Sequence, residues 1–159
     1  MWDDKTKYPL SWPENWPRVS FRKTSRFGTH TIAYAFSFLC AEVKRLTNGE
    51  EFFLSCNVPR TKGGDGAPTA NYRQPSDPGA PVYFSVNKKP VVLACDKWVH
   101  VEDNIWALAK HIEALRGQDR WGVGTIEQAF RGYMALPGIG ETGGVSWWKV
   151  LGVSINATP

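Results

Sequence analysis

The segment 81–117 constrains the fold more than any other part of the sequence, because two β-type runs are followed there by one strongly periodic helix. Residues 82–86 alternate between two faces and residues 91–95 form a short apolar run, so the polar residues 87–90 between them predict the turn of an antiparallel hairpin. The helix that follows has its apolar residues on one face, namely Ile105, Leu108, Ala109, Ile112 and Leu115. We expect that face to pack against the hairpin and Gly117 to end the helix as a left-handed cap.

Two more helices and one more strand are predicted from the same kinds of pattern. Residues 31–47 form an amphipathic helix pattern, and residues 51–58 alternate as a strand that can join the hairpin. Thr125 and Gln128 form a capping-box pair, which predicts a short helix before Pro137. The predicted fold class is therefore α+β: a small antiparallel three-stranded sheet covered by two to three helices, with an extended N-terminal arm.

The 159 residues fit one ordinary domain with appended segments. Residues 1–30 are predicted to form an extended arm rich in Pro and Trp that leads into a basic connector, and residues 31–136 the compact domain. Within that domain, residues 59–81 contain many Pro and Gly and few aliphatic residues, which predicts a long surface loop. Residues 137–146 are Gly-rich and predict a flexible linker before the last segment, 147–159.

Several function classes are disfavoured by the composition. No apolar run reaches the roughly 20 residues of a membrane span and no apolar leader is present, so we expect a cytoplasmic protein that does not bind membranes. The three Cys and three His residues lack metal-ligand spacing, which predicts no metal and no cofactor. We expect no enzymatic activity; a hydrolase centred on Asp96 and His100, at a strand-to-helix corner, is a remote alternative.

The basic connector carries the strongest sign of a binding function. It contains Arg18, Arg22, Lys23 and Arg26, with Phe21 and Phe27 between them, in a chain of net charge +4. Arginine pairs with phosphates and aromatic rings stack on bases, so this composition suits single-stranded DNA or RNA. The long loop could add four residues to the same surface: Arg60, Lys62, Tyr72 and Arg73. The alternatives are a solvated connector and a loop that binds nothing.

Tryptophans cluster near both ends of the sequence, and besides Trp2 these are four: Trp12 and Trp16 in the arm and Trp147 and Trp148 in the last segment. Such large rings either cover the core or contact a partner, and we name these four as candidate partner-binding residues. The exposed edge of so small a sheet also makes a homo-oligomer plausible.

The last residues, WWKVLGVSINATP, resemble the opening of a J domain, the co-chaperone module that stimulates seventy-kilodalton heat-shock chaperones. Trp147, Trp148 and the Val-Leu-Gly-Val core at 150–153 carry the resemblance. The His-Pro-Asp motif of that family does not occur in the sequence, so the resemblance implies only a truncated J domain. The stretches YPLSWPENWPR and DPGAPVYF and residues 94–122 are similar to the region that precedes the J domain in proteins of bacterial phages and mobile elements.

Two functional hypotheses follow. The first is a non-catalytic adaptor, part of a J-domain-type co-chaperone, that recognises a protein client or a replication or recombination partner. The second is a module for single-stranded nucleic acid that uses the basic, aromatic connector.

Overall fold

The computed structural model describes residues 7–62 and 66–133. The predicted linker 137–146 and the J-like segment 147–159, with Trp147 and Trp148, lie outside the described residues.

Three strands form one antiparallel sheet in the order β1-β2-β3, where β1 is Phe53–Leu54, β2 is Ala80–Val86 and β3 is Lys89–Cys95. Strands β2 and β3 form the predicted hairpin, with Phe84 opposite Val91. Its turn is tighter than predicted: only Asn87 and Lys88 connect the strands, both at positive φ (51° and 64°). Positive φ at both central residues matches the right-handed twist of a hairpin.

Two long helices have the predicted periodicity. Helix α1 is Ile32–Thr47; the Thr31 side chain accepts a hydrogen bond from Tyr34 N, and the helix ends at Asn48 in the left-handed conformation. Helix α2 is Val101–Arg120. The prediction that Gly117 ends α2 is wrong, because the helix continues through it. A Cβ at Gly117 would lie 3.2 Å from the Trp121 ring. Because glycine has no side chain, the ring can lie against the last turn of α2.

A short third helix, α3, is Ile126–Phe130, and a single 3-10 turn follows at Arg131–Tyr133. Both hydrogen bonds of the predicted Thr125–Gln128 capping box are present. The described residues therefore have an α+β fold, as predicted. None of their helices is long and apolar enough to span a membrane.

Helices α1 and α2 pack together on one face of the sheet. The core between these layers contains Leu39 and Val43 of α1, Ile105 and Ile112 of α2 and Phe84 of β2, all buried. The buried carboxylate of Glu42 connects the helices, since one oxygen accepts from Arg116 (2.5 Å) and the other from Arg45 (2.6 Å).

The N-terminal arm packs against strands β1 and β2 and accounts for the short β1. Ser11 N donates to Ser55 Oγ at 2.7 Å, and Tyr83 Oη donates to Ser11 O at 2.8 Å. Cys56 N donates to Lys7 O of the arm, not to a strand partner. The strand predicted at 51–58 is limited to Phe53–Leu54: Ser55 N still donates to Pro81 O of β2, but at Cys56 the arm supplies the hydrogen-bond partner.

Candidate partner-binding surface

Two of the four basic residues of the connector are engaged inside the molecule. The guanidinium of Arg18 lies 2.5 Å from an oxygen of Asp77 and 3.1 Å from Asp96, and that of Arg22 lies 3.3 Å and 3.7 Å from the same carboxylates. Asp96 is only 3% exposed, so its charge requires these partners. Arg18 and Arg22 therefore anchor the connector to the end of β3 and to the long loop.

The backbone of the connector is fixed a few residues further on. Lys23 N donates to Lys97 O at 2.9 Å, and Val99 N donates to Lys23 O at 3.0 Å, so Lys23 forms a parallel bridge with Trp98. The Phe27 ring meets the Trp98 ring edge to face, with centroids 5.0 Å apart. The connector thus lies beside the segment between β3 and α2.

These contacts create an exposed area, which we call the connector surface and which consists of Phe21, Lys23, Arg26, Phe27, Lys97, Trp98 and Val99. The side chain of Phe21 is 86% exposed. Lys23, Arg26 and Lys97 are exposed and form no ion pair with any described residue. Lys97 Nζ lies 4.8 Å from the centroid of the Trp98 ring. The surface therefore combines unpaired positive charge with accessible rings.

Asn104 holds the segment that carries Trp98 in place. Its Nδ2 donates to Pro78 O (2.9 Å) and to Trp98 O (3.0 Å), while its Oδ1 accepts from Trp98 N (3.0 Å) and from Cys95 Sγ (3.3 Å). Asn104 is fully buried. One side chain of α2 therefore ties the end of β3, the long loop and the connector surface together.

Tyr72, a predicted nucleic-acid contact, serves the start of α2. Tyr72 Oη and Gln74 Nε2 both donate to the Glu102 carboxylate, at 2.5 Å and 2.7 Å. Burial acts to raise the pKa of Glu102, but these two hydrogen bonds, a backbone hydrogen bond and the nearby His100 together outweigh it, so the pKa lies below its ordinary value. Burial and the neighbouring Glu102 both raise the pKa of Tyr72. The Tyr72 hydroxyl is therefore committed to the fold.

Of the basic residues of the loop, one is hydrogen-bonded within the fold and two are exposed. The Arg60 guanidinium donates to three backbone oxygens, those of Gly66 (3.2 Å), Lys7 (2.8 Å) and Leu54, and burial lowers its pKa. Arg60 therefore fastens the arm to β1. Lys62 and Arg73 are exposed. No contact between either of them and the connector surface is recorded within the described residues, so they stay predicted contacts.

Trp12 and Trp16, the predicted partner-binding residues of the arm, are both half-buried. Trp12 Nε1 donates to Trp16 O at 3.0 Å, and the Arg18 guanidinium lies 4.0 Å from the centroid of the Trp12 ring. The Trp16 ring stacks on Tyr133 at 5.9 Å. These contacts agree with a strap that covers the domain, the other interpretation of these two rings, and their role in partner binding stays a prediction.

The suggested Asp96–His100 pair is not brought together. The structure records no hydrogen bond or ion pair between these two described residues; Asp96 binds the connector arginines, and His100 Nδ1 lies 3.7 Å from Asp103 Oδ2. Among residues 7–62 and 66–133, no three His, Cys, Asp or Glu side chains are grouped to hold a metal ion.

Sequence reasoning missed Lys97, Trp98 and Val99 as members of the surface. A Lys-Trp pair directly after a predicted strand is a weak local signal of an exposed basic and aromatic site. The parallel bridge that joins this pair to Lys23 is a long-range contact, and no local pattern predicts it.

Comparisons with protein-family models, with curated proteins and with solved structures found no match to this chain. The resemblance to the region before a J domain stays a prediction.

Proposed function

We propose that this chain is a non-catalytic binding module, an adaptor that holds a partner against the connector surface. The observation that carries the proposal is Phe21, whose side chain is 86% exposed between two fixed points of the backbone. On one side Arg18 bridges Asp77 and Asp96, and on the other Lys23 is paired with the segment 97–99. Aromatic side chains are enriched in the centres of interfaces, and a fixed backbone loses little entropy on binding.

Binding is favoured over catalysis because the acidic side chains nearby already have ion-pair or hydrogen-bond partners. Asp96 is buried and neutralised by Arg18 and Arg22, and Glu102 already accepts two hydrogen bonds. A general base must be within reach of a substrate proton, whereas Asp96 is buried against two guanidinium groups and one Glu102 oxygen is held by Tyr72 and Gln74. The groups that face solvent on the connector surface are rings, ammonium groups and one guanidinium, which can stack on a partner or pair with its negative charges.

The resemblance of residues 147–159 to the opening of a J domain favours a second candidate partner for this module, a protein client or a replication or recombination protein. A longer chain with a complete J domain would deliver that partner to a chaperone. This part of the proposal depends on the sequence resemblance alone.

Photocrosslinking tests the binding role. The photoreactive p-benzoylphenylalanine is incorporated at Phe21 and, as a matched control, at Trp121, which is 71% exposed and directly follows the C-terminal end of α2, a helix about 30 Å long. After irradiation in an extract of the source cells, we expect a discrete adduct from position 21 that position 121 does not give. Excess wild-type chain should compete the adduct away, whereas excess Phe21→Ala chain should not. Identical products from both positions, or no competed adduct, would refute the proposal.

A further inference from the structure

We infer that the occupant of the connector surface is a single-stranded nucleic acid, an inference that depends on the binding role proposed above for this same surface. The first step is the local charge. Arg18 and Arg22 are balanced by Asp77 and Asp96. Lys23, Arg26 and Lys97 have no carboxylate partner among the described residues, so three positive charges remain on this surface. A chain of phosphates complements such a group of charges.

The second step is the ring that accompanies these charges. Phe21 makes no ring contact with any described residue, whereas Phe27 and Trp98 contact each other. A base can stack on a free phenyl ring, and every base offers a face for this, so such stacking is tolerant of sequence. Among the rings of the connector surface, Phe21 is therefore the best placed to receive a base.

The third step separates single strands from duplexes. In a duplex the bases stack on one another and are closed to a side-chain ring, so a duplex would use only Lys23, Arg26 and Lys97. A single strand can use those charges and also place a base on Phe21. The surface should therefore prefer single-stranded DNA or RNA, while an acidic protein segment is the competing occupant.

Fluorescence anisotropy with an end-labelled oligothymidylate of about 20 nucleotides tests the inference, with a mixed-sequence duplex of the same length as comparison. Three phosphate contacts predict a slope of log K against log salt of about −2, which is a roughly 20-fold loss of affinity between about 50 and 200 mM salt. Phe21→Ala should weaken binding to the single strand by at least about fivefold. Lys97→Ala should weaken it and make the slope shallower by about 0.7.

Two matched controls lie far from the connector surface. Trp121→Ala removes an exposed ring at the far end of α2, and Lys44→Ala removes an exposed cation in the last turn of α1. Neither should change the affinity. Circular dichroism of each variant checks that the fold is retained, which is expected because all four side chains are on the surface.

Three outcomes would overturn the inference: no binding at about 50 mM salt, a duplex bound as tightly as the single strand, or an unchanged affinity of Phe21→Ala. These outcomes are distinguishable from a failure of the binding role itself. If the oligonucleotide does not bind and nuclease does not remove the mass that the adduct adds to the chain at position 21, the binding role stands and the partner is a protein. If neither experiment gives a specific product, both proposals fail.

Discussion

Asn104 offers the sharpest test of how the connector surface is built. Its amide makes two donor and two acceptor contacts from a fully buried position, three of them with nitrogen or oxygen partners. The substitution Asn104→Ala would leave Trp98 N, Trp98 O and Pro78 O without these partners. Buried polar groups that lose their partners are costly, so a large loss of stability is expected.

The size of the loss follows from those three hydrogen bonds. At about 1 kcal/mol net for each bond, the sum is about 3 kcal/mol, and unsatisfied buried groups raise the expected range to about 3–5 kcal/mol. Domains of this size are stable by only about 5–15 kcal/mol, so the variant should be near its unfolding limit. A loss of this size would be easy to measure.

Urea unfolding followed by far-ultraviolet circular dichroism measures the free energy of unfolding. Asn71→Ala is the matched control, because Asn71 is exposed and its side chain forms no hydrogen bond within residues 7–62 and 66–133, and it should change stability by less than about 0.5 kcal/mol. A loss below about 1 kcal/mol for Asn104→Ala would refute the argument, since one ordinary hydrogen bond would then account for it.

Asn104→Asp separates hydrogen bonding from volume. It keeps the size of the side chain and the acceptor Oδ1 but places an oxygen against two carbonyls, those of Pro78 and Trp98. The buried acid should have a raised pKa in the folded state, so the folded state binds the proton more tightly than the unfolded state. The variant should therefore be least stable at neutral pH and should recover stability as pH falls. Wild-type stability at neutral pH would show that volume, not hydrogen bonding, is what matters at this position.

Two further predictions concern the arm and the start of α2. Gly79→Ala should lower the melting temperature and reduce the free energy of unfolding by roughly 1–3 kcal/mol. The new Cβ would lie 2.9 Å from the Trp12 ring and 3.1 Å from the Arg18 guanidinium. An unchanged melting temperature would mean that the arm does not pack against Gly79. The lowered pKa of Glu102 predicts that its stabilising contribution is complete above 4.5, its ordinary value, and is lost as pH falls through the lower folded value. In urea unfolding below pH 4.5, Glu102→Gln should therefore flatten the decline, and a profile parallel to wild type would contradict this.

Local pattern was sufficient to predict the helices and the hairpin. Helix α1 begins one residue inside the predicted segment, because Thr31 is its N-cap and not its first helical residue. The cap and the apolar periodicity of this helix are both local signals in the sequence. The end of α2 and the length of β1 were not predictable in this way. Both depend on tertiary contacts that no local pattern predicts. The end of α2 depends on the Trp121 ring beside Gly117, and the length of β1 depends on the arm, where Lys7 O accepts from Cys56 N.

The candidate site illustrates the same limit for charge. The sequence suggested seven cations in one basic site: Arg18, Arg22, Lys23, Arg26, Arg60, Lys62 and Arg73. Arg22 is paired with Asp77, 55 residues away, and Arg60 is bound by backbone oxygens, so composition alone could not separate neutralised cations from free ones.

The salt dependence of binding distinguishes the two descriptions of the site. Seven phosphate contacts would give a slope of about −5, whereas Lys23, Arg26 and Lys97 alone give about −2. A slope of about −5 would need Lys62 and Arg73 on phosphates and, in addition, two cations that are engaged inside the molecule, such as Arg18 and Arg22 released from Asp77 and Asp96. A slope near −2 would mean that these ion pairs persist, because only cations that contact phosphates in the complex release counterions.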